Sequence, residues 1–269
     1  MVLPLSLDVV SWSSVATDVA LGLVLGGVGG VFGVGGGLMA IPALSWLFGM
    51  DQQLAQGTAL VMVAPNVMLG FARYKQRNPI AWRMVGVLGA SAVVSAWFAA
   101  RWAADLGARE LRSAFALFLL AMVGSILWSL RQQAAARPGV AAPHEAPIAA
   151  DATLGPRWLP ALGMLSGVFS GLFTVGGGVV ATPILTGLFG VRRQTMAQGL
   201  SLALVVPGAL IALAAYAQAG HVNWAVGLPM AAGGLVSISW GVALAHSLPE
   251  RALRLAFCGL LSATALAMF

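Results

Sequence analysis

Charged residues are scarce in this chain. Asp, Glu, Lys and Arg make up 8% of its 269 residues, and hydrophobic residues make up 59%. A soluble domain carries about 25% charged residues. Together with a mean hydropathy of +0.91, the composition excludes a soluble enzyme, a nucleic-acid-binding domain and a disordered chain. It predicts a protein embedded in a lipid bilayer.

Cysteine and catalytic motifs are equally scarce. The single cysteine, Cys258, excludes a disulfide framework and a cysteine-based metal site. Neither H-E-x-x-H nor G-x-S-x-G occurs, and no pair of carboxylates lies within an apolar run. We therefore expect no enzymatic activity, no catalytic residues, no metal site and no cofactor.

Long stretches without charge or histidine dominate the chain. A helix that spans the hydrocarbon core needs about 20 apolar residues. The stretches 19–50 and 158–191 are too long for one span and are interrupted by glycines. The remaining stretches each fit one span, alone or with their flanks: 52–72, 84–100, 113–130, 194–220, 222–245 and 255–269.

The two halves of the chain resemble each other. Residues 30–53 align with residues 171–194, and more than half of the aligned positions are identical. After one inserted residue the alignment continues, and Pro65 matches Pro207. Apolar composition alone does not align glycine triplets and prolines in order. The sequence therefore predicts a first transmembrane repeat over 15–130, a linker over 131–157 and a second repeat over 158–269.

Matching loops of the two halves carry opposite charge bias. One loop is basic only in the first half, and another is basic only in the second half. Because cytoplasmic loops are enriched in Lys and Arg, this swap predicts inverted repeats, with the proline-rich linker in the cytoplasm. The residues concerned are Arg73, Lys75, Arg77 and Arg83 in the first half, and Arg192 and Arg193 in the second.

The fold class follows from these patterns. We expect an all-α polytopic membrane protein built from two inverted repeats. Each repeat contains one glycine-broken helical element and about three full transmembrane helices, so the whole protein has roughly eight to ten membrane segments.

The motif V-G-G-G-x-x-A-x-P occurs at 34–42 and again at 175–183. Three adjacent glycines destabilise a helix by about 1 kcal/mol each, and proline is tolerated best in the first turn of a helix. Each motif therefore predicts an unwound stretch and then a short helix that starts at Pro42 or Pro183. The free N–H groups and the positive dipole end of such a half-helix favour an anion without Lys or Arg.

Close helix packing is the alternative interpretation of these glycines. We expect packing to explain the glycines that are spaced four residues apart before each motif. These are Gly22, Gly26 and Gly30 in the first half, and Gly163, Gly167 and Gly171 in the second.

Polar residues on the helices after the motifs complete the predicted anion site. For these residues, and for Asn66 after Pro65, interhelical hydrogen bonding is the open alternative to substrate contact. The predicted substrate-binding residues are Gly35, Gly36, Gly37, Leu38, Gln56 and Thr58 in the first half, and Gly176, Gly177, Gly178, Val179, Gln198 and Ser201 in the second.

The duplicated glycine motif, the segments Gly57-Thr58 and Gly199–Ser201, and the segment His221–Trp224 carry a family resemblance. The chain resembles the sulfite exporter TauE/SafE family, also called the 4-toluene sulfonate uptake permease family, from about residue 19 to residue 269. This resemblance implies a transporter of the bacterial inner membrane for small sulfur-containing anions such as sulfite, sulfonates or sulfoacetate. The chain departs from this pattern at one place. Residues 78–82 of the first half lack the Gly-His pair that the second half has at Gly220-His221.

The predicted function is secondary transport of such an anion. The expected partners are the small anionic substrate and the lipid bilayer, without nucleic acid. A carrier for another small organic anion, such as a carboxylate, and a passive anion pore remain the alternatives.

Overall fold

The computed structural model describes residues 12–77, 82–135, 159–174 and 194–268. These residues form nine α-helices and no strand, which confirms the all-α fold class. The helices are α1 (Trp12–Phe32), α2 (Gly37–Phe48), α3 (Gln52–Arg77), α4 (Trp82–Asp105), α5 (Ala108–Ala135), α6 (Leu159–Phe173), α7 (Gln194–Gln218), α8 (Trp224–Ser247) and α9 (Glu250–Met268).

Six of the described helices, α1, α3, α4, α5, α7 and α8, are long and apolar enough to cross a membrane. Shorter apolar helical segments lie at Gly37–Phe48, Pro160–Phe173 and Leu255–Leu266. The last of these lies within α9, a helix of 19 residues that covers most of the stretch 255–269 and part of its predicted flank.

The outer surface of the bundle is apolar. Large side chains such as Trp240, Leu266 and Phe98 are more than two-thirds exposed. A water-soluble monomer rarely exposes extended apolar patches. A surrounding bilayer accounts for this surface, since its tails are as apolar as the side chains that face them.

Helix α1 packs most extensively on α8, and the two helices run parallel. Gly22 lies against the backbone of Met230, and further along both helices Gly30 lies against Ile238. A Cβ atom at either glycine would overlap the backbone of α8. The absence of side chains therefore lets the two backbones approach closely.

Helix α6 packs on α4 in the same way. Gly163 lies against Leu88, and Gly171 lies against Ala96 and Ala100, so these two helices also run parallel. In the sequence alignment α6 corresponds to α1, and α4 corresponds to α8. The packing of α6 on α4 is therefore the counterpart of the packing of α1 on α8. All six glycines that were expected to pack closely do so: Gly22, Gly26, Gly30, Gly163, Gly167 and Gly171.

Helices α3 and α7 contact each other at the centre of the fold, and α3 is the most deeply buried of the long helices. Gln56 contacts Tyr216, and Gly70 faces Leu202, so this pair is antiparallel. In this register Pro65 of α3 lies opposite Pro207 of α7. Both prolines lie near the middle of helices that are 26 and 25 residues long.

Candidate functional site

Helix α1 ends where the first glycine motif begins. Phe32 is its last residue, and Gly33 has a φ of +69°. The Val34 N–H donates to the Gly29 carbonyl at 3.0 Å, which is the closing bond of a Schellman motif. The following glycines, Gly35 and Gly36, also have positive φ values, of 70° and 91°. The unwound stretch predicted for the first half is therefore present at residues 33–36.

Helix α2 begins immediately after this stretch. Gly36 is its N-cap and offers no side chain to its first N–H groups, which have no partner within a helix. Gly37 and Leu38 are buried, so this positive helix end lies inside the protein.

The predicted start of this helix at Pro42 is wrong. Helix α2 starts five residues earlier, at Gly37, and Pro42 lies inside it. The left-handed Gly36 redirects the chain, so that the next residue already has helical conformation, and the proline removes only one later hydrogen bond. The matching prediction for Pro183 lies outside the described residues.

The unwound stretch is enclosed by neighbouring helices. A Cβ atom at Gly36 would lie 2.6 Å from the Leu25 carbonyl oxygen and 3.1 Å from the terminal methyl of Met62. Gly35 lies against Val63 and Val67 of α3. Non-helical backbone at membrane depth requires this kind of protein enclosure or a water-filled cavity.

Asn66 is the polar side chain that contacts the motif. Its Nδ2 donates to the Gly35 carbonyl at 3.4 Å, while its Oδ1 is buried without a hydrogen-bond partner. The sequence singled out Asn66 only as a buried amide that follows Pro65. It could not show that this amide contacts the unwound glycines.

The predicted polar residues Gln56 and Thr58 lie elsewhere on α3. Ten residues separate Gln56 from Asn66, which is about 15 Å along a helix. The Thr58 Oγ1 accepts a hydrogen bond from the Asn223 N–H at 2.9 Å, so this hydroxyl anchors the start of α8. The structure therefore does not bring these two residues together with the glycine motif.

The second half is described only in part. Ser201 is buried on α7, and Gln198 is placed as a backbone position of the same helix. Thr174, the residue that aligns with Gly33, has a φ of +55°, an unusual conformation for a β-branched residue. The predicted residues Gly176, Gly177, Gly178 and Val179 lie outside the described residues.

Two serines on α6 were missed from the sequence. The hydroxyls of Ser166 and Ser170 are buried and have no hydrogen-bond partner. A Cβ atom at Gly208 would lie 2.8 Å from the Ser170 Oγ, so this hydroxyl takes the space beside α7. Gly208 of α7 aligns with Asn66 of α3. The first half therefore has the Asn66 amide at this position, whereas in the second half the Ser170 hydroxyl of α6 lies against it. The sequence did contain a signal for these serines. Ser166 and Ser170 are four residues apart, and the aligned positions of α1 are Leu25 and Gly29.

Comparison with known proteins identifies the family. The profile described as "Sulfite exporter TauE/SafE" matches residues 19–268. The chain belongs to the TauE/SafE family. A protein of Xylella fastidiosa named "Probable membrane transporter protein" is 27% identical over 234 residues, which cover 86% of this chain and 85% of that protein. A protein of Methanocaldococcus jannaschii, also named a probable membrane transporter protein, is 24% identical over 263 residues and covers 93% of each chain. No solved structure matches significantly.

Membership of the TauE/SafE family makes this chain a multi-pass membrane transporter. In the part of the chain that the structure describes, no group of three or more His, Cys, Asp or Glu residues could hold a metal ion. The hydrogen-bonding groups at the first motif are the N–H groups at the start of α2 and the Asn66 amide. These are neutral hydrogen-bonding groups combined with one positive helix end.

Proposed function

We propose that this TauE/SafE protein is a secondary carrier for small sulfur-containing oxyanions of the sulfite, sulfonate or sulfoacetate type, in the cytoplasmic membrane of a bacterium. The observation that carries the proposal is the buried start of α2, which the left-handed Gly36 caps without a side chain. The transported anion is held there, and at the corresponding motif of the second half, by N–H groups of unwound backbone and half-helices.

Hydrogen bonding and the helix dipole replace a basic residue in this proposal. No Lys or Arg occurs in 19–50 or 158–191, the two runs that contain the motifs. Transferring an anion into a site of low dielectric constant is costly unless donors replace its water. One helix N-terminus supplies about half a positive charge, so two such ends supply about one, which suits a monovalent anion. The unpartnered Asn66 Oδ1 further favours an anion that carries a proton, such as hydrogensulfite.

The proposal includes an inverted arrangement of the two repeats. Its support is the antiparallel direction of α3 and α7, which align with each other in sequence. Parallel packing of α1 on α8 and of α6 on α4 agrees with the same relation. The second glycine motif lies outside the described residues, and the inverted arrangement predicts that it mirrors the first across the crossing of Pro65 and Pro207.

Uptake into proteoliposomes tests the carrier. We expect saturable uptake of labelled sulfite, with competition by sulfonates or sulfoacetate and weak competition by carboxylates of similar size. Non-saturable uptake would instead indicate a passive anion pore, and preferential uptake of a carboxylate would indicate the other alternative. An anion that binds the folded protein also raises its apparent thermal stability, so a thermal-shift screen ranks the candidate substrates first.

Introducing a negative charge at Asn66 tests the proposed anion site at the first motif. Replacing Asn66 by Asp should abolish anion transport, because an ionised carboxylate beside Gly35 repels the substrate and cannot donate to the Gly35 carbonyl. The matched control is Asn223→Asp, because Asn223 caps α8 through its Oδ1 and Asp caps a helix equally well. Sulfite transport by Asn66→Asp at the rate of the control would contradict the proposed site.

Topology is tested by labelling the linker. In a Cys258→Ser background, Gly139→Cys should react with a membrane-impermeant maleimide only after the cytoplasmic side is opened, because the basic loops place the linker inside. A cysteine at Gly49, in the opposite loop of the first half, should react in intact spheroplasts. Labelling of residue 139 in intact spheroplasts would reject the proposed orientation.

A further inference from the structure

Helix α3 begins with a group of buried glutamines that the glycine motif does not explain. Gln52 and Gln56 lie one helical turn apart and are 3% and 0% exposed. Three of their four amide atoms have no hydrogen-bond partner, namely Nε2 and Oε1 of Gln52 and Nε2 of Gln56. Leaving a buried polar group unpaired costs about 1–3 kcal/mol each. A neighbouring glutamine, Gln53, is paired instead and donates to the Leu106 carbonyl.

The fourth amide atom is held by the other half of the protein. The Tyr216 hydroxyl, near the end of α7, donates to the Gln56 Oε1 at 2.6 Å, and both residues are fully buried. With the Gln56 Oε1 facing Tyr216, the Nε2 of the same amide is the atom left without a partner. The Gln56 amide therefore lies at a contact between the two halves, where a carrier must open and close, and Gln52 lies one helical turn from it.

This group is separate from the glycine motif. Val63, which touches Gly35, lies seven residues beyond Gln56, about 10 Å along α3. Nearer the glutamines, Gly57 packs against the His221 carbonyl and Thr58 holds the Asn223 N–H. The glutamines therefore lie towards the end of the bundle where α7 leads into α8.

The same pattern recurs in the second half of the sequence. Q-x-x-A-Q-G occurs at 52–57 and again at 194–199, and Tyr74 aligns with Tyr216. Because α3 and α7 are antiparallel, with Gln56 at the level of Tyr216 and Gly70 at the level of Leu202, Tyr74 lies at the level of Gln198. The glutamine and tyrosine positions therefore recur at the opposite end of the α3–α7 contact.

We infer that Gln52 and Gln56 form a second oxyanion-binding station. Their amide N–H groups hold oxygen atoms of the anion as it enters or leaves the site proposed at the glycine motifs. Tyr216 is a positioning residue that orients the Gln56 amide. The inference rests on the proposed function, because it assumes that the transported species is an oxyanion. Neutral amide donors suit such a station, since they bind oxygen atoms without trapping the anion as a fixed positive charge would.

Three methionine variants test the station in purified, reconstituted protein, with sulfite and methanesulfonate as probes. Gln52→Met and Gln56→Met should each raise the transport KM at least tenfold and reduce the anion-induced rise in Tm. The Tm of Gln52→Met without anion should hold or rise, because a wholly unpaired buried amide is removed. Gln56→Met should lower Tm, because it also leaves the buried Tyr216 hydroxyl without its partner. Gln53→Met is the matched control. It should lower Tm, because it breaks the bond to Leu106, and leave KM within twofold.

Tyr216→Phe tests the positioning role. It should raise KM less than Gln56→Met does and keep the maximal rate, because the free amide then rotates but remains present. A KM within twofold of wild type for both Gln52→Met and Gln56→Met, whatever their Tm, would show that the anion does not use these amides and would overturn the station. If Asn66→Asp protein, prepared in the same way, has lost transport, an unchanged KM of the glutamine variants leaves the proposed function in place. Wild-type protein that neither binds nor transports either probe overturns both.

Discussion

Replacing Gly36 by alanine is expected to abolish transport and to destabilise the protein by about 2–5 kcal/mol. Gly36 has a φ of +91°, and its Cβ position lies 2.6 Å from the Leu25 carbonyl oxygen. An L-residue in this conformation costs about 1–2 kcal/mol, and the overlap with backbone adds to that cost because the carbonyl cannot rotate away. The start of α2 must then move, and with it the N–H groups proposed to hold the anion.

The matched control for Gly36 is Gly49→Ala. Gly49 also has a left-handed conformation, with a φ of +62°, but no atom lies within 4 Å of its Cβ position. This variant should lose only the conformational term, about 1–2 kcal/mol, and should keep normal transport. Uptake of labelled sulfite and thermal unfolding are measured on both proteins. Normal transport by Gly36→Ala would place the anion elsewhere, with the basic loops around Arg73 and Arg192 as the next sites to test.

The glycine motifs by themselves predict that Gly36→Val and Gly177→Val abolish transport while the protein remains in the membrane. The structure shows why Gly36→Val cannot separate function from folding, since a branched side chain meets the Leu25 carbonyl directly. Gly177 lies outside the described residues. Asn66→Asp is the cleaner test of binding, because it changes charge with almost no change in volume.

Replacing Gly241 by valine should prevent stable folding. Its Cβ position overlaps the Gly27 carbonyl of α1, at the most extensive helix packing in the described part of the chain. Overpacking typically costs about 1–3 kcal/mol and sometimes more. Here both contacting groups are backbone, so the helices must separate over their whole contact. We expect at least a tenfold loss of monodisperse protein in size-exclusion chromatography.

Gly124→Val in α5 is the comparison for this second experiment. Gly124 is also a mid-helix glycine, but nothing lies within 4 Å of its Cβ position. Because valine has a higher helix propensity than glycine, this variant should be as stable as wild type or slightly more stable. Equal yields of the two variants would mean that the close approach of α1 and α8 contributes little to stability.

The sequence by itself determined the class of the protein and the positions of its unusual backbone. Low charge and long apolar runs imply a polytopic membrane protein, because a bilayer leaves almost no alternative to helices for such stretches. Glycines spaced four residues apart imply close packing, because they lie on one face of a helix and let another backbone approach it. The triplet at 35–37 implies an unwound stretch because the cost of helical glycine is local.

Only the tertiary structure decided which groups surround that stretch. Pro42 marked a helix start by local rules, yet α2 begins at Gly37, because the turn geometry of Gly36 fixes where helical conformation resumes. The sequence predicted Gln56 as a substrate-binding residue and singled out Asn66 only as a buried amide, and it could not show what either side chain contacts. Their partners, Tyr216 from the other half and the Gly35 carbonyl, depend on how α3 is placed against α7 and against the unwound stretch. That placement is set by contacts between distant parts of the chain, which local sequence patterns do not encode.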